Sequence, residues 1–280
     1  MRYLILGSSG QIGSALCDYY KNKGHTVDTF DIVNGKHQDL RIDGGMERLI
    51  GSKISKSDFV FFLAFDVGGS RYLKKYEKTF DFIQNNMKIM ANTFECLRLT
   101  QKPFIFSSSQ MSDMNFSTYG TLKRIGEYYT EALDGLLVKF WNIYGTEQDF
   151  DKSHVITDFI LKAKNTGTID MITDGSEMRQ LLHVDDCCKC LDILAENYDS
   201  IDKKKNYHVS SFKWNTILEV AEMVASNFDN ITISPSETKD TVQQDKRYEP
   251  DKHILNYWKP VVSLSNGIKS IIERMEHVRH

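Results

Sequence analysis

Apolar positions along the first half of the chain switch between two periods. RYLILG (2–7) is a short apolar run. In QIGSALCDYYKNKG (11–24), Ile12, Ala15, Leu16, Tyr19 and Tyr20 then recur at helical spacing, with Gly24 as a stop. HTVDTFDI (25–32) reads as a second strand. DFVFFLAF (58–65) is a third, and its unbroken apolar character suits a strand covered on both faces of a parallel sheet. A long helical pattern around 79–99, the strand PFIFSS (103–108), a helix starting near Ser117 and the strand GLLVKFWNIYG (135–145) continue the series. Strand–helix alternation with short loops predicts an α/β fold with a doubly wound parallel sheet.

After Gly145 the rhythm loosens. TEQDFDKSHVITDFILKAKNTGTIDMITDGSEMRQ holds one helix among short polar links, and VDDCCKCLDILAEN reads as a helix with Asp185 or Asp186 near its N-terminus. KKKNYHVSS reads as a strand, NTILEVAEMVASNF (215–228) as an amphipathic helix, and 235–251 as a long polar loop. The expected layout is a cofactor domain from residues 1–145 and 179–210, with a smaller, discontinuous substrate lobe from 146–178 and 211–280.

Composition narrows the classes of function. With 280 residues, 41% of them hydrophobic, the chain can bury a full core. A net charge of −3 gives no general reason to expect nucleic acid, so any anion must be held locally. No apolar run approaches the ~20 residues of a membrane span, and the opening MRYLILGSSG reads as a strand rather than a signal peptide. Five cysteines, an odd number, suggest reduced thiols in a cytoplasmic protein. CCKC (187–190) lacks the spacing of a zinc site and has no second half, so its thiols are expected on a helix and no metal is expected.

LILGSSGQIG places Gly7, Gly10 and Gly13 between a strand and a helix. Glycines there let the backbone turn tightly and approach a pyrophosphate, which sits at the helix N-terminus. Asp31 ends the second strand, where a carboxylate accepts hydrogen bonds from ribose hydroxyls and repels a 2′-phosphate. NAD is therefore expected over NADP.

Tyr119 and Lys123 are one helical turn apart and share a face. A neighbouring ammonium would lower the phenol's pKa from its usual value near 10, so that it can take a proton from a hydroxyl while hydride leaves the same carbon. Ser109, at a strand end, can hydrogen-bond that hydroxyl.

At this point the chain resembles the extended short-chain dehydrogenases, specifically the NAD-dependent epimerase/dehydratase family of nucleotide-sugar enzymes. Besides GSSGQIG and YGTLK, the resemblance rests on LAFDVGG (63–69), QNNMKIMANT (84–93), KFWNIYG (139–145), DGSEMRQLLHVDD (174–186) and PDKHILNYWKP (250–260). It implies a Rossmann domain, a substrate lobe, a homodimer packed through two helices per subunit, and hydride chemistry on a sugar diphosphonucleoside. By position it implies a catalytic set of Ser109, Tyr119 and Lys123. It implies cofactor contacts at Gly7, Gly10, Gln11, Ile12, Gly13, Asp31, Asp39, Leu40, Leu63 and Ala64, besides Tyr119 and Lys123, with Asp39 near the adenine. Asn142 and Arg179 match residues that hold the sugar nucleotide, Arg179 at its diphosphate. Arg179 and Lys162 are also the cations that phosphates require in a mildly acidic protein.

DVGGS, SHVITDFILKA and EMRQLLHVDD look most like GDP-fucose synthase and GDP-mannose 3,5-epimerase, which favours a GDP-linked sugar; His154 falls at the acid/base histidine of the former. Three departures stand against a direct transfer of activity. Those epimerases have a cysteine where this chain has Ser109. Dehydratases carry an Asp-Glu pair where Gln110 and Met111 stand. Only nine residues separate Ser109 from Tyr119, fewer than usual. Asp31 also departs from GDP-fucose synthase, which prefers NADP. The resulting expectation is an NAD-dependent oxidoreductase acting at carbon 4 of a hexose or heptose ring, as 4-dehydrogenase or 4-epimerase, in surface-polysaccharide precursor synthesis. The alternatives are a 3,5-epimerase/4-keto reductase using His154, and a non-catalytic NAD-binding regulator, against which Tyr119 with Lys123 speaks.

Overall fold

The computed structural model describes residues 1–42, 49–114, 116–147, 149–241 and 248–277. Six parallel strands form the main sheet: β1 (Arg2–Leu6), β2 (Thr26–Phe30), β3 (Phe59–Phe62), β4 (Phe104–Ser109), β5 (Leu136–Phe140) and, after further elements, β9 (Tyr207–Val209). Their spatial order is β2-β1-β3-β4-β5-β9, so the chain reverses direction across the sheet between β1 and β3. Ligands of such sheets bind beyond the C-terminal strand ends at that reversal.

The helices α1 (Gln11–Asn22), α2 (Leu49–Lys56), α3 (Ser70–Tyr76), α4 (Phe80–Thr100) and α5 (Thr118–Ala132) join these strands. Side chains of β1 alternate between two cores, as the pleat dictates. Tyr3 and Ile5 meet Leu16 and Tyr20 of α1, whereas Leu4 and Leu6 face Phe62 and Phe94 on the other side. All four residues of β3 are buried, in keeping with its continuous apolar run.

One expected strand is two. The run 135–145 breaks at Trp141, whose N–H donates to Val209 O (3.2 Å) and whose indole donates to His208 Nδ1 (3.1 Å). Beyond it, β6 (Asn142–Tyr144) leaves the main sheet. It pairs in parallel with β8 (Met178–His183), after α6 (Val155–Thr166) and β7 (Thr168–Asp170) have intervened. Apolar residues continue through the break because both sheets are buried there, so the pattern alone hides the change of partner.

Helix α7 (Val184–Glu196) follows β8 and packs on α1, with Tyr19 and Lys23 both donating to Asp192 (2.9 and 2.5 Å). Cys187, Cys188 and Cys190 are buried free thiols in this helix. Asp186 is also buried, and its Oδ2 accepts from the N–H groups of Val261 and Val262 (2.8 and 2.7 Å). Strand β10 (Trp214–Thr216) adds antiparallel to β8, and Thr216 with Glu219 forms a capping box for α8 (Ile217–Ala225). Strand β11 (Thr232–Ser234) pairs with β7, and α9 (Leu264–His277) closes the chain. Ile156, Phe159, Leu181, Val220 and Ile268 build a third core here, while Ile254 and Trp258 pack into the first. Residues 242–247 of the polar stretch 235–251 lie outside the described residues. Among the described residues, no helix is long and apolar enough to cross a membrane, and no cluster of side chains is suited to a metal.

Candidate active site

The loop after β1 turns at Gly7 (φ +83°), whose N–H donates to Phe30 O (2.9 Å). A Cβ at Gly7 would lie 2.7 Å from Ala64 N, so the loop rests on the end of β3 at Leu63 and Ala64. A Cβ at Gly13 would lie 2.0 Å from Gly7 O, so only glycine lets α1 approach this closely. Gly10 caps α1 without a side chain, leaving the N–H groups of Gln11, Ile12 and Gly13 in the first turn. The buried Ser8 hydroxyl beside them has no protein partner. Asp31 is held at the same loop: its Oδ2 accepts from Ser9 N (2.9 Å) and its Oδ1 from Val33 N (3.1 Å). A cradle that a Cβ would fill, an orphaned hydroxyl and a fixed carboxylate at the next strand end fit a dinucleotide.

Asp39 is bound by Arg41 through Nε and Nη2 (2.9 and 2.8 Å), which holds its carboxyl below the usual range. Leu40 is buried beside it, and Phe30, Asp39, Leu40 and Ile50 line a hollow of about 30 Å³. The Gln11 side chain reaches the end of β6. With its amide oriented to suit its neighbours, it donates to Ile143 O (3.0 Å) and accepts from Gly145 N (3.2 Å), tying α1 to β6.

Ser109 ends β4, and its Oγ accepts from Met111 N (3.2 Å). The short connection to α5 is closed by Ser117, which caps the helix through Gly120 N (3.0 Å), and by Glu77, which accepts from Ser117 Oγ and Tyr119 N (3.1 and 3.2 Å). A Cβ at Gly120 would meet Met111 O at 1.9 Å, so α5 is pressed onto the segment after Ser109. This brings Tyr119 back to Ser109, and both are buried. One turn on, the Lys123 ammonium donates to Ser107 O (2.6 Å) and lies 3.9 Å from the centre of the Phe65 ring. Phe65 meets Tyr119 edge-on at 5.7 Å.

The electrostatics differ from the simple expectation. Burial pushes the Tyr119 phenol up to about 12, with the Ser109 hydroxyl pulling the other way. Burial also brings Lys123 down to about 7, partly offset by Glu127. Lys123 does not make Tyr119 acidic in the protein alone: burial sets the phenol's direction, the Ser109 hydroxyl is what opposes it, and the Lys123 ammonium is engaged by a carbonyl and an aromatic face. Beneath it, Glu127 accepts from Ser108 Oγ (2.5 Å) and Arg124 (2.8 Å) and lies 3.5 Å from the buried Lys139, which also reaches Asp113 (2.9 Å).

The remaining expected residues fall in or near the second sheet. Asn142 opens β6, and its Oδ1 is buried without a partner. Arg179, in β8, pairs with Asp240 and donates to Met178 O (2.7 Å). Lys162 pairs with Asp158 (3.2 Å) of its own helix α6 and donates to Asp170 O of β7. His154 caps α6 and is bound by Glu147 at two points: main-chain N to Oε2 (2.9 Å) and Nδ1 to Oε1 (2.6 Å). Sequence reasoning does not single out Phe65, Glu147 or Asp240. Phe65 directly follows Leu63 and Ala64 and could have been found there. Glu147 and Asp240 sit in polar loops with no periodic relation to their partners.

Comparison with known proteins agrees with this architecture. The model of the NAD-dependent epimerase/dehydratase family matches residues 3–210. The chain belongs to this family. It is accordingly an enzyme, and the family's cofactor is NAD. A probable GDP-L-fucose synthase of Oryza sativa subsp. japonica is 24% identical over 305 aligned positions, covering 95% of this chain and 89% of that protein. A GDP-mannose 3,5-epimerase of Oryza sativa subsp. indica is 24% identical over 269, covering 81% and 68%. The crystal structure of a UDP-glucose 4-epimerase from Thermotoga maritima is similar in fold, with a TM-score of 0.81, 19% identity and 100% coverage of both chains. The family is thus represented near this chain by both GDP- and UDP-sugar enzymes.

Proposed function

We propose that this enzyme is an NAD-dependent nucleotide-sugar oxidoreductase acting at carbon 4, as a 4-dehydrogenase or as a 4-epimerase through a 4-keto intermediate. The observation that carries the reading is the convergence of Ser109, Tyr119 and Lys123 beside the glycine loop, at the C-terminal strand ends of one sheet. Gly7, Gly10, Gly13 and the first turn of α1 would hold the pyrophosphate, Asp31 the adenosine ribose, and Asp39 with Leu40 the adenine end. Bound NAD supplies a hydride acceptor and donor. Tyr119 exchanges a proton with the C4 oxygen, and Ser109 hydrogen-bonds that oxygen and steadies its developing charge. With its phenol up near 12, Tyr119 is protonated at neutral pH and ready to donate in the reducing direction. Oxidation requires its proton to leave first, which a charged Lys123 nearby favours.

Arg179 is the cation for the sugar diphosphate and Asn142 a polar contact for the nucleotide sugar; Lys162 is the more peripheral candidate. The two plant relatives favour a GDP-linked hexose or heptose. Segments 146–178 and 211–280 form the substrate lobe. Exposed Phe80, Ile83 and Leu99 on α4, with Tyr128 and Tyr129 on α5, support a homodimer through those helices. A cytoplasmic role in making surface-polysaccharide precursors suits the family and the five buried free thiols.

The test is incubation of the purified protein and NAD with a panel of GDP-, UDP- and dTDP-sugars, followed by mass spectrometry and NADH absorbance. One or more sugars should yield a 4-keto or 4-epimeric product. NAD binding with no turnover of any sugar would overturn the reading.

A second reading, 3,5-epimerisation with 4-keto reduction, is favoured by one observation, the Glu147–His154 pair. Solvent deuterium entering the ring of a 4-keto substrate distinguishes it.

A further inference from the structure

We propose that Phe65 is a positioning residue for this reaction: the face of its ring holds the Lys123 ammonium beside Tyr119, where the positive charge favours the phenolate that takes the substrate's proton. The inference rests on the reading of Tyr119 as the group that exchanges a proton with the C4 oxygen, and names a further residue for that same site.

A lysine ammonium is a point charge on a flexible stem, with no planar fork to fix its direction. The hydrogen bond from Lys123 Nζ to Ser107 O (2.6 Å) is one tether. Three ring centres surround the same atom, Phe65 at 3.9 Å, Phe106 at 5.1 Å and Tyr119 at 5.9 Å. Phe65 is the nearest of them, and a ring face attracts a cation most where water is excluded. Lys123 is buried, so that condition is met. The same Phe65 ring meets Tyr119 edge-on at 5.7 Å, so one side chain touches both members of the pair. Charge attraction weakens with distance, and an ammonium free to swing away would lose its hold on a phenolate.

The loop after β3 is anchored on both sides of this ring. Before it, Leu63 and Ala64 lie against Gly7. After it, Asp66 is fixed at both main-chain groups by one side chain: its N–H donates to Asn86 Oδ1 (2.7 Å) and its C=O accepts from Asn86 Nδ2 (3.1 Å). Asn86, in α4, is fully buried. The Asp66 carboxylate accepts from the Tyr72 hydroxyl (2.6 Å) and from Asn85 Nδ2 (3.1 Å). Phe65 is thus clamped between two held neighbours, yet its own side chain is half-buried while the ammonium it covers is buried. Filling that space needs an apolar side chain of about this size. The aromatic face adds a partner for charge, and it comes from a loop separate from β4 and α5, which carry Ser109, Tyr119 and Lys123.

The experiment replaces Phe65, in the full chain, by phenylalanines carrying one, two and three ring fluorines. Fluorine draws electron density from the ring face and nearly preserves its shape, so folding is kept even if Phe65→Leu fails to fold. With a nucleotide sugar from the GDP, UDP and dTDP panel that wild type oxidises, NADH appearance after rapid mixing should slow with each added fluorine, to about tenfold with three. KM should change less than about twofold, since the effect is on charge beside the phenol and not on sugar binding. Phe65→Leu should be slowed at least as much, and Phe65→Tyr, which keeps a face, should retain most of the rate. Independently of turnover, protein labelled with ¹³C-lysine should show the Lys123 Cε protons, identified by their loss in Lys123→Met, moving downfield when Phe65→Leu removes the ring above them. A rate indifferent to fluorination, or a Lys123 signal unmoved in Phe65→Leu, would overturn the proposal while leaving turnover at C4 intact. Absence of turnover with every sugar would instead overturn the reading on which it rests.

Discussion

The Lys123 ammonium lies 3.9 Å from the centre of the Phe65 ring and 5.9 Å from that of Tyr119. The aromatic face and Ser107 O together are the surroundings of a cation that is 3% exposed. Burial brings its pKa down to about 7, and the Glu127 charge offsets part of this. The site therefore holds a tyrosine that resists losing its proton and a lysine that readily gives one up.

A stability consequence follows from Lys123. Its folded pKa lies below its unfolded value of 10.5, so the unfolded chain binds the extra proton between pH 7 and 10.5. Wild-type stability should rise with pH across that window, by up to about 5 kcal/mol, and flatten below pH 7. Lys123→Met should lose this slope. Urea unfolding of both proteins at several pH values measures it, and parallel profiles would contradict the assignment.

The glycine loop makes a packing prediction. Gly13→Ala must push α1 from Gly7 O, at about 1–3 kcal/mol of overpacking, and should weaken NAD binding roughly tenfold or more. Gly24→Ala meets nothing within 4 Å and bears only the strain of φ +80°, so NAD affinity should be unchanged. Titration calorimetry with NAD compares the two.

Much of this fold is legible in the sequence, for identifiable reasons. Strands β1 and β3 are read from apolar runs because both faces are covered, and α1 from a helical period because one face is. The break at Trp141 is not legible, since Ile143 and Tyr144 are as buried in the second sheet as Val138 is in the first. Tyr119 and Lys123 are legible as one face of a helix. Their proton affinities are not, because these depend on burial contributed by distant segments. Glu147 escapes notice because its contacts are set by a fold-back onto His154 seven residues later, not by any periodicity.

Lys139 of β5 and Glu127 of α5 are each about 1% exposed and 3.5 Å apart. Lys139→Met should destabilise the protein by about 3 kcal/mol, because it strands buried carboxylate charge. Adding Glu127→Gln should recover part of the loss. Urea titrations of the single and double variants decide it, and simple additivity would argue against the coupling.

In the proposed site Asp31 is the residue expected to set the cofactor preference. Asp31→Asn keeps an acceptor for the loop but removes the charge. It should weaken NAD binding about tenfold and narrow the preference over NADP. Parallel fluorescence titrations with both dinucleotides measure the ratio, and an unchanged ratio would show that discrimination lies elsewhere.

Hydride removal from carbon 4, with Tyr119 handling the proton, is tested most directly by isotope tracing. GDP- and UDP-hexoses carrying deuterium only at C4 are incubated with the protein and NAD, and the cofactor is analysed by mass spectrometry. The account predicts that deuterium moves from the sugar to the nicotinamide, and that Tyr119→Phe lowers the rate about 10²–10⁴-fold while still binding NAD. Turnover in which no deuterium reaches the nicotinamide in samples quenched before the hydride can return to the sugar, or that proceeds unchanged without the phenol oxygen, would contradict it.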